Sequence, residues 1–231
     1  MLILGLQKTT LLDYPGKVAS TIFTGGCNFR CPFCHNRDLV IPPEDVFAFS
    51  EEEIFAHLNK KKNILDGVCI TGGEPTLHKD LPEFIKKIKA LGLLVKLDSN
   101  GTNPDMLSFL IDNHLVDYVA MDIKHTKEKY NSIACMTHFD ISPIEASVTL
   151  LKQGRVAYEF RTTIMKECHE ASDMEDIGNW LRGADAYYLQ SYKESEQVIN
   201  PVFSAHSKAT LESFVNILKP YVQNTQLRGI D

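Results

Sequence analysis

The segment VASTIFTGGCNFRCPFCHN, residues 18–36, combines an apolar run with three cysteines inside eight positions. The cysteines are Cys27, Cys31 and Cys34, and no fourth cysteine lies close to them in the sequence. The apolar run predicts a buried strand over residues 18–23. In folds built from parallel strands, ligand-binding groups lie at the carboxyl ends of the strands, and these thiols follow such an end directly. The segment therefore predicts both the first strand of a parallel sheet and the position of its site.

Five further apolar runs follow, separated by stretches of helical periodicity. With the first run, the predicted strands are residues 18–23, 67–71, 93–98, 118–122, 157–163 and 187–190. Six β-then-α units in this order predict an α/β fold with right-handed crossovers. A complete barrel of eight units takes about 250 residues, so a chain of 231 residues better suits a partial (β/α)6 TIM-like barrel. A flat doubly wound sheet is the alternative, although no GxGxxG turn follows the first strand to favour it.

Serine and glutamate at the capping-box spacing mark three predicted helix starts. Ser50, Ser142 and Ser172 each precede a glutamate by three residues. These starts place helices after the first, fourth and fifth predicted strands, as the alternation requires. The final helix is predicted over residues 209–219.

Composition and charge restrict the class of protein. The chain has 231 residues, 44% hydrophobic and 23% charged, which is typical of a globular protein, and we expect residues 1–231 to form a single domain. A formal net charge of −6 and the lack of an extended basic patch argue against nucleic acid as a partner. The sequence contains neither a signal peptide nor an apolar stretch of about 18 residues, which argues against a membrane location. We therefore expect a cytoplasmic protein with reduced cysteines.

Three closely spaced thiols suit one kind of metal group better than others. Three thiolates can hold three corners of a [4Fe–4S] cluster and leave one iron open to a ligand from outside the protein. A structural zinc with His35 as the fourth ligand is one alternative, but it would need adjacent ligands at positions 34 and 35. A redox pair of Cys31 and Cys34 is the other alternative, and it leaves Cys27 without a role. No second cluster site is predicted, because the remaining cysteines are scattered singly at Cys69, Cys135 and Cys168.

Several motifs together resemble one family. The pattern CxxxCxφC, with Phe33 as its aromatic residue, resembles the signature of the radical S-adenosylmethionine (radical SAM) enzymes. TGGEP at residues 71–75, DSNG at 98–101 and DYVAMDIKH at 117–125 are similar to further motifs of these enzymes. The segment LLDYPGKVASTIFTGGCNFRCPFCHN, residues 11–36, resembles the activating enzymes of glycyl radical enzymes. Among these, the resemblance is closest to the activating proteins of anaerobic ribonucleoside-triphosphate reductases.

The resemblance implies a radical enzyme with two cofactors. One [4Fe–4S] cluster per chain would be held by Cys27, Cys31 and Cys34, and its open iron would bind S-adenosylmethionine (SAM). Reductive cleavage of SAM then gives a 5′-deoxyadenosyl radical, which in activating enzymes removes a hydrogen atom from one glycine of a partner, a glycyl radical enzyme. A flavodoxin- or ferredoxin-type protein would donate the electron. A radical SAM enzyme acting on a small molecule, such as a deazaguanine synthase, is the alternative within the same class.

The resemblance also implies which residues bind the cofactor. They are Phe33, Gly72, Gly73, Glu74, Asp98, Asp122, Lys124, Arg161 and Gln190. Gly72, Gly73 and Glu74 would hold the methionine amino group, and a carboxylate can accept a charge-assisted hydrogen bond from an ammonium. Because paired glycines are also common in plain turns, a purely structural role for this motif stays open.

The charged positions at later strand ends have the same two interpretations. Asp98, Asp122 and Lys124 would surround the ribose and methionine of SAM, and the two aspartates would hold a monovalent cation, which oxygen ligands suit. Arg161 lies inside a predicted strand, where an unpaired charge is expensive, and a clasp on the cofactor carboxylate would explain it. Gln190 would face the adenine. An Asx turn at Asp98, and a backbone-pairing role for Arg161 and Gln190, stay open.

Two positions depart from the pyruvate formate-lyase activating enzyme. Tyr14 stands where that enzyme's DGPG motif has a glycine. The stretch QSYK, residues 190–193, lacks the histidine expected after the sixth strand. Both differences count against pyruvate formate-lyase as the partner. The resemblance fades after about residue 165.

Overall fold

The computed structural model describes residues 1–195 and 198–230. Its strands form one eight-stranded sheet. They are β1 (Ile3–Thr10), β2 (Ala19–Thr24), β3 (Gly67–Gly72), β4 (Leu94–Ser99), β5 (Tyr118–Asp122), β6 (Ala157–Ile164), β7 (Tyr187–Ser191) and β8 (Thr225–Arg228). The helices are α1 (Arg37–Val40), α2 (Glu51–Lys61), α3 (Leu81–Ala90), α4 (Pro104–Asp112), α5 (Tyr130–Ala134), α6 (Ser142–Leu151), α7 (Ala171–Leu181) and α8 (Lys208–Leu218). Within these described ranges, no helix is long and apolar enough to cross a membrane.

The strands lie in the sheet in the order in which they occur in the chain. Strands β2 to β8 are all parallel to one another, whereas β1 runs antiparallel to β2. Because each parallel strand pairs with its successor, the chain winds in one direction, as in a barrel, whereas a doubly wound sheet reverses its strand order. β1 and β8 are the two edges of the sheet, so the barrel is partial. The predicted partial barrel is confirmed.

The six predicted strands correspond to β2 through β7, and each observed end lies within one residue of its prediction. The two edge strands were not predicted. The second half of β1, with the sequence QKTT, is polar, and β8 has only four residues. A strand at a sheet edge has a single neighbour and needs less apolar surface, so its sequence signal is weaker.

The two faces of each strand bury different kinds of side chain, because successive side chains point to opposite faces. On β4, Val95 and Leu97 belong to the hydrophobic core, while Lys96 and Asp98 alternate with them and line an interior cavity. On β6, Phe160 belongs to the core between the flanking charged residues of the inner face. The apolar core therefore lies between sheet and helices, and the inside of the partial barrel is charged.

One of the three predicted capping boxes is present. The Ser50 side chain accepts from the Glu53 backbone N–H, and the Glu53 side chain accepts from that of Ser50. The predictions at Ser142 and Ser172 are wrong, because each serine lies in the first turn of its helix and an acidic residue before the helix makes the capping contact. Asp140 accepts from the Ser142 backbone N–H at 2.9 Å, and Glu170 forms its own capping box at the start of α7. The final helix is confirmed to within one residue at each end.

Candidate active site

The structure brings all twelve predicted site residues to one cavity of about 260 Å³ at the carboxyl ends of the strands. They are Cys27, Cys31, Phe33, Cys34, Gly72, Gly73, Glu74, Asp98, Asp122, Lys124, Arg161 and Gln190. We call this cavity the first cavity. Residues 25–36, which carry the three cysteines after β2, are called the cysteine loop. These residues come from six successive strands, β2 to β7, and from the segments that follow them, and they converge because parallel strands all have their carboxyl ends at the same edge of the sheet.

The thiols of the cysteine loop are free, and the loop buries them to different degrees. Burial raises the pKa of Cys27 to about 11 and that of Cys31 to about 12. At neutral pH these thiols therefore carry protons, which a bound metal would displace because thiolates are the ligands. Three thiols beside an open space fit the three-cysteine cluster predicted from the spacing.

The geometry around the cysteine loop does not favour the zinc alternative. The Nε2–H of His35 donates to the Lys193 carbonyl at 2.5 Å, so this ring nitrogen is already engaged. Across residues 1–195 and 198–230, no group of three or more histidine, cysteine, aspartate or glutamate side chains is arranged around a single metal ion. A structural zinc needs four such ligands in a tetrahedron.

Asn100, which the sequence reasoning did not assign to the site, ties the end of β4 to the first cysteine. Its side-chain amide donates to Asn28 Oδ1 at 2.8 Å and lies 3.9 Å from Cys27 Sγ. The Phe29 backbone N–H points to the same sulfur at 3.4 Å. Hydrogen bonds to ligand sulfurs are one way in which a protein tunes an iron–sulfur cluster. The signal available in the sequence was a side-chain amide two residues after Asp98, on the predicted rim.

The paired glycines after β3 are required by a close approach of two backbone segments. The Gly73 N–H donates to the Thr24 carbonyl at 2.8 Å, and the Glu74 N–H donates to the Gly26 carbonyl at 2.8 Å. A Cβ on Gly72 would collide with the backbone of Thr24, and one on Gly73 would collide with the Gly26 carbonyl. Gly72 also has a φ of 122°, which residues with side chains rarely adopt. The structural reason for these glycines is therefore present whether or not they contact a ligand.

The Glu74 carboxylate is fully buried and organises the neighbouring loops. Its Oε1 accepts from the Thr76 hydroxyl at 2.5 Å and from the Ser99 hydroxyl at 2.9 Å, and its Oε2 accepts from the Asn100 backbone N–H at 2.6 Å. Burial raises the pKa of Glu74, although these hydrogen bonds oppose the shift. Any ammonium bound at this carboxylate would share it with Thr76, Ser99 and Asn100.

Five side chains of alternating charge line the inside of the sheet, in the order Lys96, Asp98, Arg161, Asp122 and Lys124. We call them the charge row. Lys96 forms an ion pair with Asp98 Oδ1, and Arg161 Nη1 lies 3.2 Å from Asp98 Oδ2. Arg161 Nε donates to Asp122 Oδ1 at 3.0 Å, and Lys124 Nζ donates to Asp122 Oδ2 at 3.0 Å. Each charge of the row therefore has an opposite charge beside it.

The pairing keeps the charge row ionised. Burial alone would raise the pKa of Asp122, but Lys124 and Arg161 outweigh it and hold this pKa at about 2. Burial opposes ionisation of Asp98 as well, and Arg161 and Lys96 lower its pKa below the usual range. Despite burial, Asp122 raises the pKa of Lys124 above that of an ordinary lysine. The Lys124 ammonium also lies 5.9 Å from the centre of the Phe33 ring, which links the row to the cysteine loop.

A second cavity, of about 500 Å³, adjoins the first. Asp98, Arg161 and Gln190 line both of them. The second cavity is also lined by Leu12 and Asp13, between β1 and β2, and by Arg228 at the end of β8. These segments belong to the two edges of the sheet, so the second cavity connects the charge row with the open side of the partial barrel.

Comparison with known proteins agrees with this geometry. Residues 21–170 match the radical SAM superfamily. A Methanocaldococcus jannaschii protein named as a glycyl-radical enzyme activating enzyme is 33% identical, across 100% of this chain and 97% of its own length. A 7-carboxy-7-deazaguanine synthase of Halobacterium salinarum is 35% identical over 39% of this chain and 36% of the synthase. Streptococcus suis SuiB bound to S-adenosylmethionine superposes with a TM-score of 0.71 at 14% identity, covering 89% of this chain and 49% of SuiB.

The chain belongs to the radical SAM superfamily, whose members are enzymes that use a [4Fe–4S] cluster and SAM. Within the superfamily, the full-length similarity is to a glycyl-radical enzyme activating enzyme. The family match ends at residue 170, in agreement with the expected fading of the resemblance after about residue 165, whereas the alignment with this relative extends over 100% of the chain. The likeness to SuiB shows the fold alone, because the sequences are 14% identical.

Proposed function

We propose that this chain is an activating enzyme that installs a glycyl radical on a partner enzyme. The partner favoured by the sequence resemblance is an anaerobic ribonucleoside-triphosphate reductase. When bound, the reduced cluster supplies one electron that cleaves SAM into methionine and a 5′-deoxyadenosyl radical. This radical would then take one hydrogen atom from the glycine α-carbon of the partner, which gives 5′-deoxyadenosine and the glycyl radical.

The proposed ligand set follows from the chemistry of the first cavity. Cys27, Cys31 and Cys34 would hold three irons and leave the fourth to SAM. The donors of Lys124 and Arg161 suit the methionine carboxylate and the ribose oxygens. The two aspartates of the charge row would accept from the ribose hydroxyls, and the TGGEP motif would hold the methionine amino group. Gln190 would face the adenine, and Phe33 would contact the cofactor from the cysteine loop. These roles stay proposals.

The second cavity is the observation that favours a protein as the substrate. It extends from the charge row to segments at both edges of the sheet, so a chain segment could reach the cofactor from the open side of the barrel. Radical intermediates must be shielded from water, and a docked polypeptide loop would close this opening. The substrate class is therefore a loop of another protein that presents a glycine.

An exposed pair of leucines supports docking at this opening. Leu11 is 71% exposed and Leu12 is 90% exposed, and Leu12 lines the second cavity. Adjacent exposed apolar side chains at the mouth of a cavity are typical of an interaction site. We propose that these leucines contact the partner enzyme beside its glycine-bearing loop.

Action on a small molecule is the second candidate. The similarity to the 7-carboxy-7-deazaguanine synthase supports it, but this match covers 39% of the chain. The match to the activating enzyme covers 100% of the chain. The family resemblance implies that both kinds of enzyme share the cysteine motif, so a match over 39% of the chain carries little information about the substrate. The activating enzyme is therefore the favoured function.

The rate of SAM cleavage with and without a partner tests the proposal. Anaerobically reconstituted protein would be given SAM and a reductant, and 5′-deoxyadenosine would be measured over time. Addition of the glycyl radical enzyme should speed its formation, whereas the same partner with its radical-bearing glycine changed to alanine should not support radical formation. Rapid cleavage with a small metabolite, together with no response to any glycine-bearing partner, would instead favour the second candidate.

Three further expectations accompany the proposed function. We propose a flavodoxin- or ferredoxin-type electron donor, since the cluster needs one electron per cleavage. A reducing compartment such as the cytoplasm would keep the cysteine loop available for iron. We also propose that the 231 residues act as one domain, because a single sheet includes strands from both ends of the described chain.

A further inference from the structure

The pair Asp98 and Asp122 is where the family resemblance implies a bound monovalent cation. All four oxygens of these carboxylates already face a cationic donor of the protein. Lys96 and Arg161 take the two oxygens of Asp98, and Arg161 and Lys124 take the two oxygens of Asp122. A cation needs several oxygen ligands, and it would have to share each of these oxygens with a positively charged group of the protein.

The charge balance of the row also disfavours an added cation. Three cationic side chains face two carboxylates, which leaves one positive charge in excess. The nearby Glu159 does not cancel this excess, because Arg228 pairs with it through both carboxylate oxygens, one of them at 2.8 Å. A bound cation would raise the excess to two positive charges among buried side chains, and like charges at close range repel.

Lys96 is the member of the row that stands in an unusual place. It lies in the middle of β4 and is 2% exposed, so its side chain is almost completely buried. Cys69 Sγ, at 3.8 Å, is a second neighbour of the ammonium, and burial raises the pKa of this thiol so that it stays neutral. A buried ammonium is stable only when it is paired, and Asp98 is its carboxylate partner.

We propose that Lys96 supplies, as a fixed ammonium, the positive charge that a bound monovalent cation would otherwise supply beside Asp98. Cofactor binding by this chain is then independent of the monovalent cation in solution. Lys96 acts as a positioning residue: it fixes Asp98 and, through Arg161, Asp122. This inference rests on the proposed SAM site and names the group that keeps its carboxylates in place.

The test is a titration of the anaerobically reconstituted protein with SAM in four chloride salts at equal ionic strength. The cations would be potassium, sodium, lithium and tetramethylammonium, and the dissociation constant of SAM would be measured by equilibrium dialysis. The unmodified protein should give the same constant, within about twofold, in all four salts. Binding that needs potassium or sodium would overturn the inference, whereas no binding in any salt would refute the proposed SAM site as well.

Two substitutions of Lys96 distinguish the effect of its positive charge from the effect of its side-chain volume. Lys96→Ala removes the ammonium and leaves room, so SAM binding should weaken about tenfold or more in tetramethylammonium and recover in potassium or methylammonium chloride. Lys96→Met removes the charge but fills the space, so binding should weaken without recovery. Lys89→Ala, which removes a lysine paired with Asp117 outside the row, should behave like the unmodified protein. Full SAM affinity of Lys96→Ala in tetramethylammonium would overturn the inference, and iron content would report whether each variant is folded.

Discussion

The cysteine loop and the charge row line the same cavity, but they differ in what they need from outside the protein. The thiols of Cys27 and Cys31 have pKa values of about 11 and about 12, so they are protonated until a metal replaces the protons. The charge row is already complete, because every carboxylate oxygen in it has a cationic partner. The cysteine loop is therefore completed only when a metal binds, whereas the charge row is organised before any ligand binds.

This difference has a structural origin. The cysteine loop is an irregular segment that is held by hydrogen bonds to several other parts of the chain, such as the one between Asn100 and Asn28. Members of the charge row lie on or directly after strands, where alternation fixes which side chains point inward. Groups on regular strands are positioned before a ligand binds, whereas groups on a loop gain most from a metal that joins them. Substitutions should accordingly affect iron in one region and SAM in the other.

The largest expected effect is loss of the cluster. Cys27→Ala, Cys31→Ala and Cys34→Ala should each abolish iron incorporation, because three thiolates are the minimum that holds the cluster. Cys69→Ala, Cys135→Ala and Cys168→Ala are the matched controls and should retain it. Iron and sulfide analysis of anaerobically reconstituted protein is the measurement. Loss of the cluster from the Cys135→Ala variant would contradict the assignment of three ligands.

Changes in the charge row and at Glu74 should have the opposite pattern. Asp122→Ala and Glu74→Ala should keep the iron but weaken SAM binding about ten- to a hundredfold, the effect of one lost charge-assisted hydrogen bond of roughly 1.5–3 kcal/mol. Equilibrium dialysis with reconstituted protein measures both properties in one sample. Asp105→Ala, at an exposed position on α4, is the control. SAM affinities unchanged in both variants would remove these residues from the site.

A smaller effect is expected at the proposed docking surface, and it should leave both regions intact. Replacing Leu11 and Leu12 by serine should raise the partner concentration needed for half-maximal stimulation about tenfold, since burying one leucine is worth roughly 1.5–3 kcal/mol. Iron content and SAM affinity should not change. Ile64→Ser is the control, because Ile64 is 62% exposed and lines neither cavity. Equal effects of the leucine and isoleucine changes would argue against docking at this opening.

The smallest expected effect is a loss of folding stability at mildly acidic pH. The charge row itself should not contribute to this loss. Behind the row, the Nε2–H of His169 donates to the Lys124 carbonyl at 3.2 Å, and its ring stacks on His125 at 4.6 Å. Burial, together with His125, lowers the pKa of His169 to about 4. An unfolded histidine has a pKa of about 6.5, so the unfolded chain binds more protons between these values and stability falls as the pH falls.

The expected loss is about 1 kcal/mol of unfolding free energy between about pH 7 and pH 5.5. Denaturant unfolding at several pH values measures it. His169→Gln can keep the hydrogen bond to Lys124 without titrating, so its unfolding free energy should depend less on pH. His138→Gln, at an exposed position, should retain the full dependence. The same pH dependence in the His169→Gln variant would show that other groups, such as Asp173 near His125, are responsible.

Much of the fold and many of the site residues could be predicted, because short stretches of the sequence have clear patterns of apolar and charged residues. The six inner strands are buried on both faces and read as apolar runs, whereas β1 and β8 have one strand neighbour and a weaker pattern. Arg161 was noticed because a charge inside an apolar strand is expensive. The same physical argument applies to Lys96 in LLVKLDS, residues 93–99, which is also a charge inside an apolar strand, although only Asp98 was predicted there.

Other features depend on contacts between distant parts of the chain. The pairing of Lys96 with Asp98 follows from strand alternation, but the pairing of Arg161 with both aspartates needs the register of β4, β5 and β6. The contact of Asn100 with Cys27 joins two loops that are far apart in sequence. The two misplaced helix caps show the same limit, because the spacing of one serine and one glutamate ignores competing acidic residues nearby.

Hydrogen transfer from a glycine of the partner is the most direct test of the proposed function. The reconstituted protein would be incubated with SAM, a reductant and a glycyl radical enzyme whose glycine α-carbons carry deuterium, and 5′-deoxyadenosine would be analysed by mass spectrometry. We expect one deuterium in 5′-deoxyadenosine with the deuterated partner, and none when the radical-bearing glycine of that partner is replaced by alanine. Abundant 5′-deoxyadenosine without deuterium, formed in the presence of the deuterated glycine partner, would contradict the proposal that this chain activates a glycyl radical enzyme.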